Sequence, residues 1–115
     1  MALSEFSRKY FEKIMNDYLK RTRPPTHIRD ELNIGYRIEN QNIELFEIRP
    51  SFRNPSQKIE QAIAKATYVI RAGIWKIYWK RADLKWHKYE PVLEAVDFEG
   101  FLAIVDDDHY GCFHG

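Results

Sequence analysis

The sequence predicts an α+β fold: an N-terminal helix, an antiparallel sheet of about five strands built from two hairpins, and a C-terminal helix. Three observations lead there. Apolar residues recur at helical steps over 4–22 and again over 97–106. Residues 33–49 and 63–81 each read as strands around a central turn pair. The chain has 115 residues, the size of one domain. At that mass about two thirds of the unfolded surface can be buried. A single domain over 1–115 is therefore expected, with a core that needs no staples.

In the first helix, Leu3, Phe6, Tyr10, Ile14 and Tyr18 form the stripe, widened by Phe11, Met15 and Leu19. Ser4 suits the N-cap, and Lys20, Arg21 and Arg23 suit the C-terminal end of the dipole. Pro24-Pro25 stops it. In the first hairpin, a turn at Asn40-Gln41 sets Ile38 opposite Ile43, Arg37 opposite Glu44 and Tyr36 opposite Leu45. Sliding the turn by one residue would oppose Glu39 and Glu44, so this register is preferred. Gly35 then lies opposite Phe46, whose ring covers a backbone with no side chain. Pro50, Asn54 and Pro55 mark a loop over 50–58.

Residues 57–66 pull two ways. Ile59, Ala62, Ile63 and Ala66 have helical spacing, while Thr67 to Ile70 are strand formers. The reading is at most a turn of helix, then a strand from about 63 to 71. A second hairpin turns at Ala72-Gly73. It pairs Ile70 with Trp75, Tyr68 with Ile77 and Ala66 with Trp79 on an aromatic face. It opposes Lys65 and Lys80 on the other, which is unfavourable without an anion between them. A fifth strand spans 84–89 and ends at Pro91. Asp97 caps the last helix, and Asp106, Asp107 and Asp108 end it at the negative pole of the dipole. Residues 109–115 read as a mobile tail.

Composition narrows the function less than the fold. Hydrophobic residues at 44% and charged residues at 30% exclude a disordered tail as the main description. Aromatic residues reach 15%, the one compositional excess that speaks to function. Net charge is +1, so global charge selects no partner. Yet residues 71–90 carry six basic and two acidic groups, and residues 94–115 carry six acidic groups and no Lys or Arg. Such segregation suits an anionic ligand or contact with a second copy, and equally two solvated faces. The lone Cys112 excludes an intrachain disulfide and points to a cytoplasmic setting. No run is long enough to span a membrane, and the first ten residues do not read as a signal peptide.

Candidate binding residues cluster in the second half. Rings among basic groups on a sheet are how proteins stack bases and neutralise phosphates. Here the solvent-side set is Lys76, Tyr78 and Lys80, continued by Lys85, His87 and Tyr89. Trp75 and Trp79 go to the core, with Arg81 stacked on Trp79. Glu47 faces a partly apolar neighbourhood opposite Ile34 and needs a partner, for which Arg49 is placed. Glu47, Arg49 and His87 together are the set a small enzyme would use, provided that they converge in one cleft. No residue is assigned a catalytic role. His109, Cys112 and His114 match no zinc spacing, so no metal and no cofactor is expected.

Several runs then fall into a known order. They are Pro25-x-His27-Ile28-Arg29-Asp30, Phe46-Glu47-Ile48-Arg49-Pro50 and Ala64-Lys65. There follow the long Trp75-x-x-Tyr78-Trp79-x-Arg81-x-Asp83-Leu84-Lys85-Trp86-His87-x-Tyr89-Glu90-Pro91 motif and Gly111-Cys112-Phe113-x-Gly115. With them the whole chain resembles a bacterial family known as domain of unknown function 3024. The family usually has an aromatic residue where this chain has His114. The resemblance implies a bacterial, cytosolic setting and a shared set of polar residues, Glu47, Arg49, Lys65, Arg81, Lys85 and His87. It implies no activity. The expected function is a non-catalytic binding or interaction module with an anionic ligand or acidic partner on the basic strand face. A homodimer over the mixed face bearing Phe46, Ile48 and Tyr78 is also expected. Nucleic-acid binding and a small enzyme are the alternatives.

Overall fold

The fold is taken from a computed structural model, which describes residues 3–22, 24–28 and 32–113. In chain order the elements are α1 (Glu5–Thr22), a short 3-10 turn (Thr26–Ile28), β1 (Asn33–Glu39), β2 (Asn42–Pro50), β3 (Lys58–Val69), β4 (Ile74–Lys80), β5 (Trp86–Lys88), β6 (Glu94–Ala95) and α2 (Phe98–Asp107). The expected α+β class is therefore what the chain adopts, with a sixth strand added. The sheet is antiparallel in the order β1-β2-β3-β4-β5, and β6 pairs with the lower end of β4. Both helices contribute to the core on one sheet face, and among the described residues no helix covers the other, bare face.

The first hairpin has the expected register throughout, with Glu39 opposite Asn42, Arg37 opposite Glu44 and Ile34 opposite Glu47. Asn40 takes the left-handed conformation that the tight turn requires, at φ 56°. Gly35 is needed where it stands. A Cβ there would lie 2.7 Å from Phe46 Cε2, because the Phe46 ring covers the glycine backbone.

The second hairpin departs from expectation by two residues. Its turn is Ile70–Gly73, closed by the Ala72 and Gly73 N–H groups on the Val69 carbonyl and by Gly73 at φ 64°. Tyr68 therefore faces Trp75, Ala66 faces Ile77 and Ala64 faces Trp79. A shift of two preserves which face each side chain takes, so the aromatic face stays with the core. It does change the neighbours. Lys65 lies opposite Tyr78, and the expected Lys65–Lys80 opposition does not form.

Residues 57–66 contain no helical turn. β3 is one continuous strand that pairs with β2 from Lys58 to Thr67, with a register shift between Leu45 and Phe46. The shift inserts Ile63 as an extra residue, so Ile63 and Ala64 are adjacent and both buried. That break in the two-residue period is what resembled helical spacing.

The core lies between the covered sheet face and the helices. Trp75 is its centre, with Phe11 at 5.0 Å, Tyr68 at 5.0 Å and Phe98 at 5.2 Å between ring centroids. The stripe of α1 is rotated from expectation. Leu3, Phe11, Ile14, Met15, Tyr18 and Leu19 pack inward, while Phe6 and Tyr10 are exposed. Ser7, partly buried, lies between Leu3 and Phe11 on the packing side. Asp97 caps α2 by accepting from the Gly100 N–H at 2.7 Å, and Asp108 closes it in the left-handed conformation. The Tyr18 hydroxyl donates to Asp106 Oδ1 at 2.6 Å and so ties the two helices together. Burial first, and then that bond, push the Tyr18 phenol well above its ordinary range.

The segment after α2 is not a loose tail. Phe113 is buried, its ring 4.7 Å from that of Tyr89, and its N–H donates to Asp108 Oδ1. His114 and Gly115 lie outside the described residues, as do Arg23, Arg29 and Asp30.

Candidate functional site

The expected binding residues separate into two groups on opposite sides of the sheet. The bare face holds the first. Adjacent strands share side-chain direction at paired positions. Lys65 pairs with Tyr78, Thr67 with Lys76, Lys80 with Trp86 and Tyr78 with Lys88. All of these therefore project to the bare face. Lys65 Nζ lies 4.9 Å from the Tyr78 ring centre and 4.9 Å from that of Trp86. Lys80 Nζ approaches the same Trp86 ring at 5.4 Å. The two lysines thus meet across an indole. Burial holds Lys65 below the usual lysine range; Glu44 opposes that shift and Lys80 adds to it.

Two expectations about this face are corrected. His87 pairs with Trp79 and lies on the covered side, so it does not join Tyr78. Trp86 takes that place, because strand alternation puts only one of two successive residues on a face. Tyr89 is buried, with its N–H bonded to the Ile77 carbonyl and its ring against Phe113. It belongs to the core. Lys85 is exposed in the β4–β5 turn, where its backbone N–H donates to Asp83 Oδ1 at 2.9 Å. Phe46 is also less available than expected: it is buried, with the Arg37 guanidinium 4.9 Å above its ring.

The second group lies where the sheet forks. β3 and β4 pair only as far as Ala64 and Trp79, while β2 and β3 run on together to Pro50 and Lys58. Beyond the split the two hairpins diverge. One cleft of about 290 Å³ opens beside the β2–β3 arm, lined by Glu47, Arg49, Gln61, Lys80, Cys112 and Phe113 among others. A larger one of about 550 Å³ lies beside β5, lined by Trp79, Arg81, His87, Glu90, Tyr110 and Cys112 among others. Cys112 is common to both.

Glu47 has the partner that its setting requires. Arg49 Nε donates to Glu47 Oε2 at 2.8 Å, and Nη2 bonds to the same oxygen. The Glu47 side chain is 12% exposed and that of Arg49 is 49% exposed, so the pair closes one wall of the smaller cleft. His87 is fixed differently. Its Nε2 meets Asp83 Oδ2 at 2.8 Å. Asp83 is held in turn by the Lys85 N–H, and these two bonds keep its carboxyl below the usual range. Leu84 at φ 63° makes the tight turn that brings Asp83 and His87 together. Asp83 escaped the sequence reading, although an Asx turn four residues before a histidine is a legible signal. Arg81 stacks on Trp79 as expected, with its guanidinium carbon 5.5 Å from the ring centre.

The enzyme set is divided, since Glu47 lines one cleft and His87 the other. Cys112 is a partly buried cysteine. Burial, with Asp108 adding to it, raises its thiol above the ordinary value against the pull of Arg81. Among the described residues no group of three His, Cys, Asp or Glu side chains is placed to hold a metal ion. Among the same residues no helix is long and apolar enough to cross a membrane.

Fold and surfaces define a small two-layer α+β domain with one bare basic-aromatic sheet face and a forked polar end. The chain belongs to the family described as domain of unknown function (DUF3024), whose model matches residues 3–115. No curated protein and no solved structure matches it.

Proposed function

We propose that the protein is a non-catalytic binding module that takes an anionic ligand or acidic partner segment on the bare face of β3, β4 and β5. The observation that carries this reading is the pair of lysines, Lys65 and Lys80, sharing the Trp86 ring at 4.9 and 5.4 Å. Two ammonium groups on one indole repel each other, and an anion over the ring relieves that repulsion. Lys76 and Lys88 extend the positive surface along the same face, with Glu44 opposite Lys65 and Glu94 opposite Lys76 as opposing charges.

A second reading, single-stranded nucleic acid, is favoured by one observation. Among the described residues no helix covers the sheet face that bears Tyr78 and Trp86, and Lys65 Nζ lies 4.9 Å from each ring centre. Adjacent rings flanked by lysines are the elements of a base-stacking platform.

Both readings are tested by titrating the full chain with polyglutamate and with a labelled single-stranded oligonucleotide, following anisotropy and tryptophan emission. Saturable binding of either probe that is lost in Lys65→Ala and Lys80→Ala supports the anionic face. For the oligonucleotide, log K should fall against log salt with a slope of about −0.7 for each phosphate contacted. Absence of saturable binding to both probes overturns the proposal. A cytoplasmic setting accords with the single cysteine.

Self-association is also proposed. The partly exposed Ile48 and Tyr78 on the bare face are the apolar groups that a second copy would cover. Sedimentation at micromolar concentration should then show a species heavier than 13.8 kDa. A lone monomer ends the idea.

A further inference from the structure

The larger cleft at the fork carries a separate inference. Its volume, about 550 Å³, is that of a small-molecule site rather than a groove for a polymer. It opens on the Trp79 side of β4, and Lys88 at its edge also belongs to the lysine face.

Its most telling group is Arg81. The guanidinium rests on the Trp79 ring, and among the described residues no carboxylate pairs with it within 4.0 Å. A guanidinium held by its flat side keeps its N–H edges free, and that planar fork matches a carboxylate or a phosphate with two parallel bonds. Stacking also fixes the side chain in advance, so less rotamer entropy is lost when an anion binds. A salt bridge would have used these donors. Here Glu47 goes to Arg49, and Asp83 goes to His87.

His87 supplies a second fixed group on the same cleft. Its Nε2 is engaged by Asp83, so the ring orientation is set and Nδ1 is the uncommitted nitrogen. Lys88 and Cys112 also line the cleft, beside three flat or apolar groups. Trp79 is partly buried, while Pro91 and the exposed Tyr110 line the rim. Glu90 is the carboxylate on this cleft, and it disfavours a ligand carrying dense negative charge.

We infer that this cleft is a binding site for a small organic anion, a single carboxylate or phosphate carried on a flat ring, with Arg81 forking the anion and Trp79 and Tyr110 flanking the ring. The site shares Lys88 with the bare face, but its ligand is independent of the one proposed there.

Benzoate, phenyl phosphate and inorganic phosphate distinguish the contributions of the head group and the ring. Each is titrated into the isotopically labelled full chain while amide and indole resonances are followed. Benzoate or phenyl phosphate should give saturable shifts at Trp79, Arg81 and His87, and the better of the two names the head group. Alkylation of Cys112 by iodoacetamide should slow as the cleft fills, because that thiol lines the same wall. Arg81→Gln should weaken binding by about tenfold or more. Arg81→Lys should also weaken it, since charge remains but the fork is lost. Lys65→Ala with Lys80→Ala should leave it unchanged. Non-saturating shifts with unprotected Cys112 overturn the inference, as does equal binding by Arg81→Gln. Inorganic phosphate binding as tightly as phenyl phosphate overturns the role given to the ring.

Discussion

The two faces of the sheet use aromatic residues in opposite ways. On the covered face rings meet rings: Phe11, Tyr68 and Phe98 surround Trp75 at about van der Waals spacing. On the bare face rings meet cations, Lys65 and Lys80 on Trp86, Lys65 on Tyr78 and Arg37 on Phe46. The residue types are the same. What differs is whether helices lie above them. Where α1 and α2 cover the sheet, a tryptophan is building material. Where nothing covers it, the ring is a platform that long cationic side chains shelter from water.

The sharpest way to break this contrast is Trp75→Ala. It empties the centre of the covered face and should cost about 3–5 kcal/mol in urea unfolding. A loss comparable to that of a bare-face substitution would show that the covered side is not the core. Next is Gly35→Ala, where the new Cβ collides with the Phe46 ring at 2.7 Å. The ring must move from under Arg37, at a cost of about 1–3 kcal/mol. Unchanged stability would mean that Phe46 does not close over β1.

Tyr18→Phe is smaller, at about 1 kcal/mol for the lost bond to Asp106. It also carries a pH signature. The folded state raises the Tyr18 phenol, so it retains a proton that the unfolded chain releases. Stability from this group is complete below the unfolded value of about 10 and is lost as pH climbs above it. Tyr18→Phe should flatten that alkaline decline, and an identical decline in both proteins would refute the assignment. The smallest effect belongs to the bare face. Lys65→Ala or Lys80→Ala should change stability by no more than about 1 kcal/mol, the range of an exposed cation–π contact, while removing most of the binding to anionic probes.

The same contrast explains how much of the site was legible. Glu47 with Arg49 and Arg81 on Trp79 follow from local spacing along a strand, and both form as that spacing implies. The exchange of His87 for Trp86 on the bare face does not follow. It depends on how β5 pairs with β4, and the residues at 81–85 between them form an irregular turn with Leu84 in the left-handed conformation. Tyr89 was misplaced for a related reason. Its strand stops at Lys88, and what receives its ring is Phe113, distant in sequence. The aromatic excess that first suggested a base-stacking surface thus reduces to Tyr78 and Trp86, with the tryptophan the reading had passed over.

By itself the sequence determined the two helices, the existence of both hairpins, the register of the first and the face taken by each β4 residue. These rest on short-range rules: the period of two, a turn pair that accepts a left-handed residue, and opposite charges set across one hairpin. Tertiary structure decided the register of the second hairpin, the bulge at Ile63 and the burial of Phe113. A shift of two residues leaves every face unchanged, so the pattern of apolar residues cannot detect it, and only the packing of β3 between two partners selects it. The register of the second hairpin also moved Lys65 from its place opposite Lys80 onto Tyr78 and Trp86.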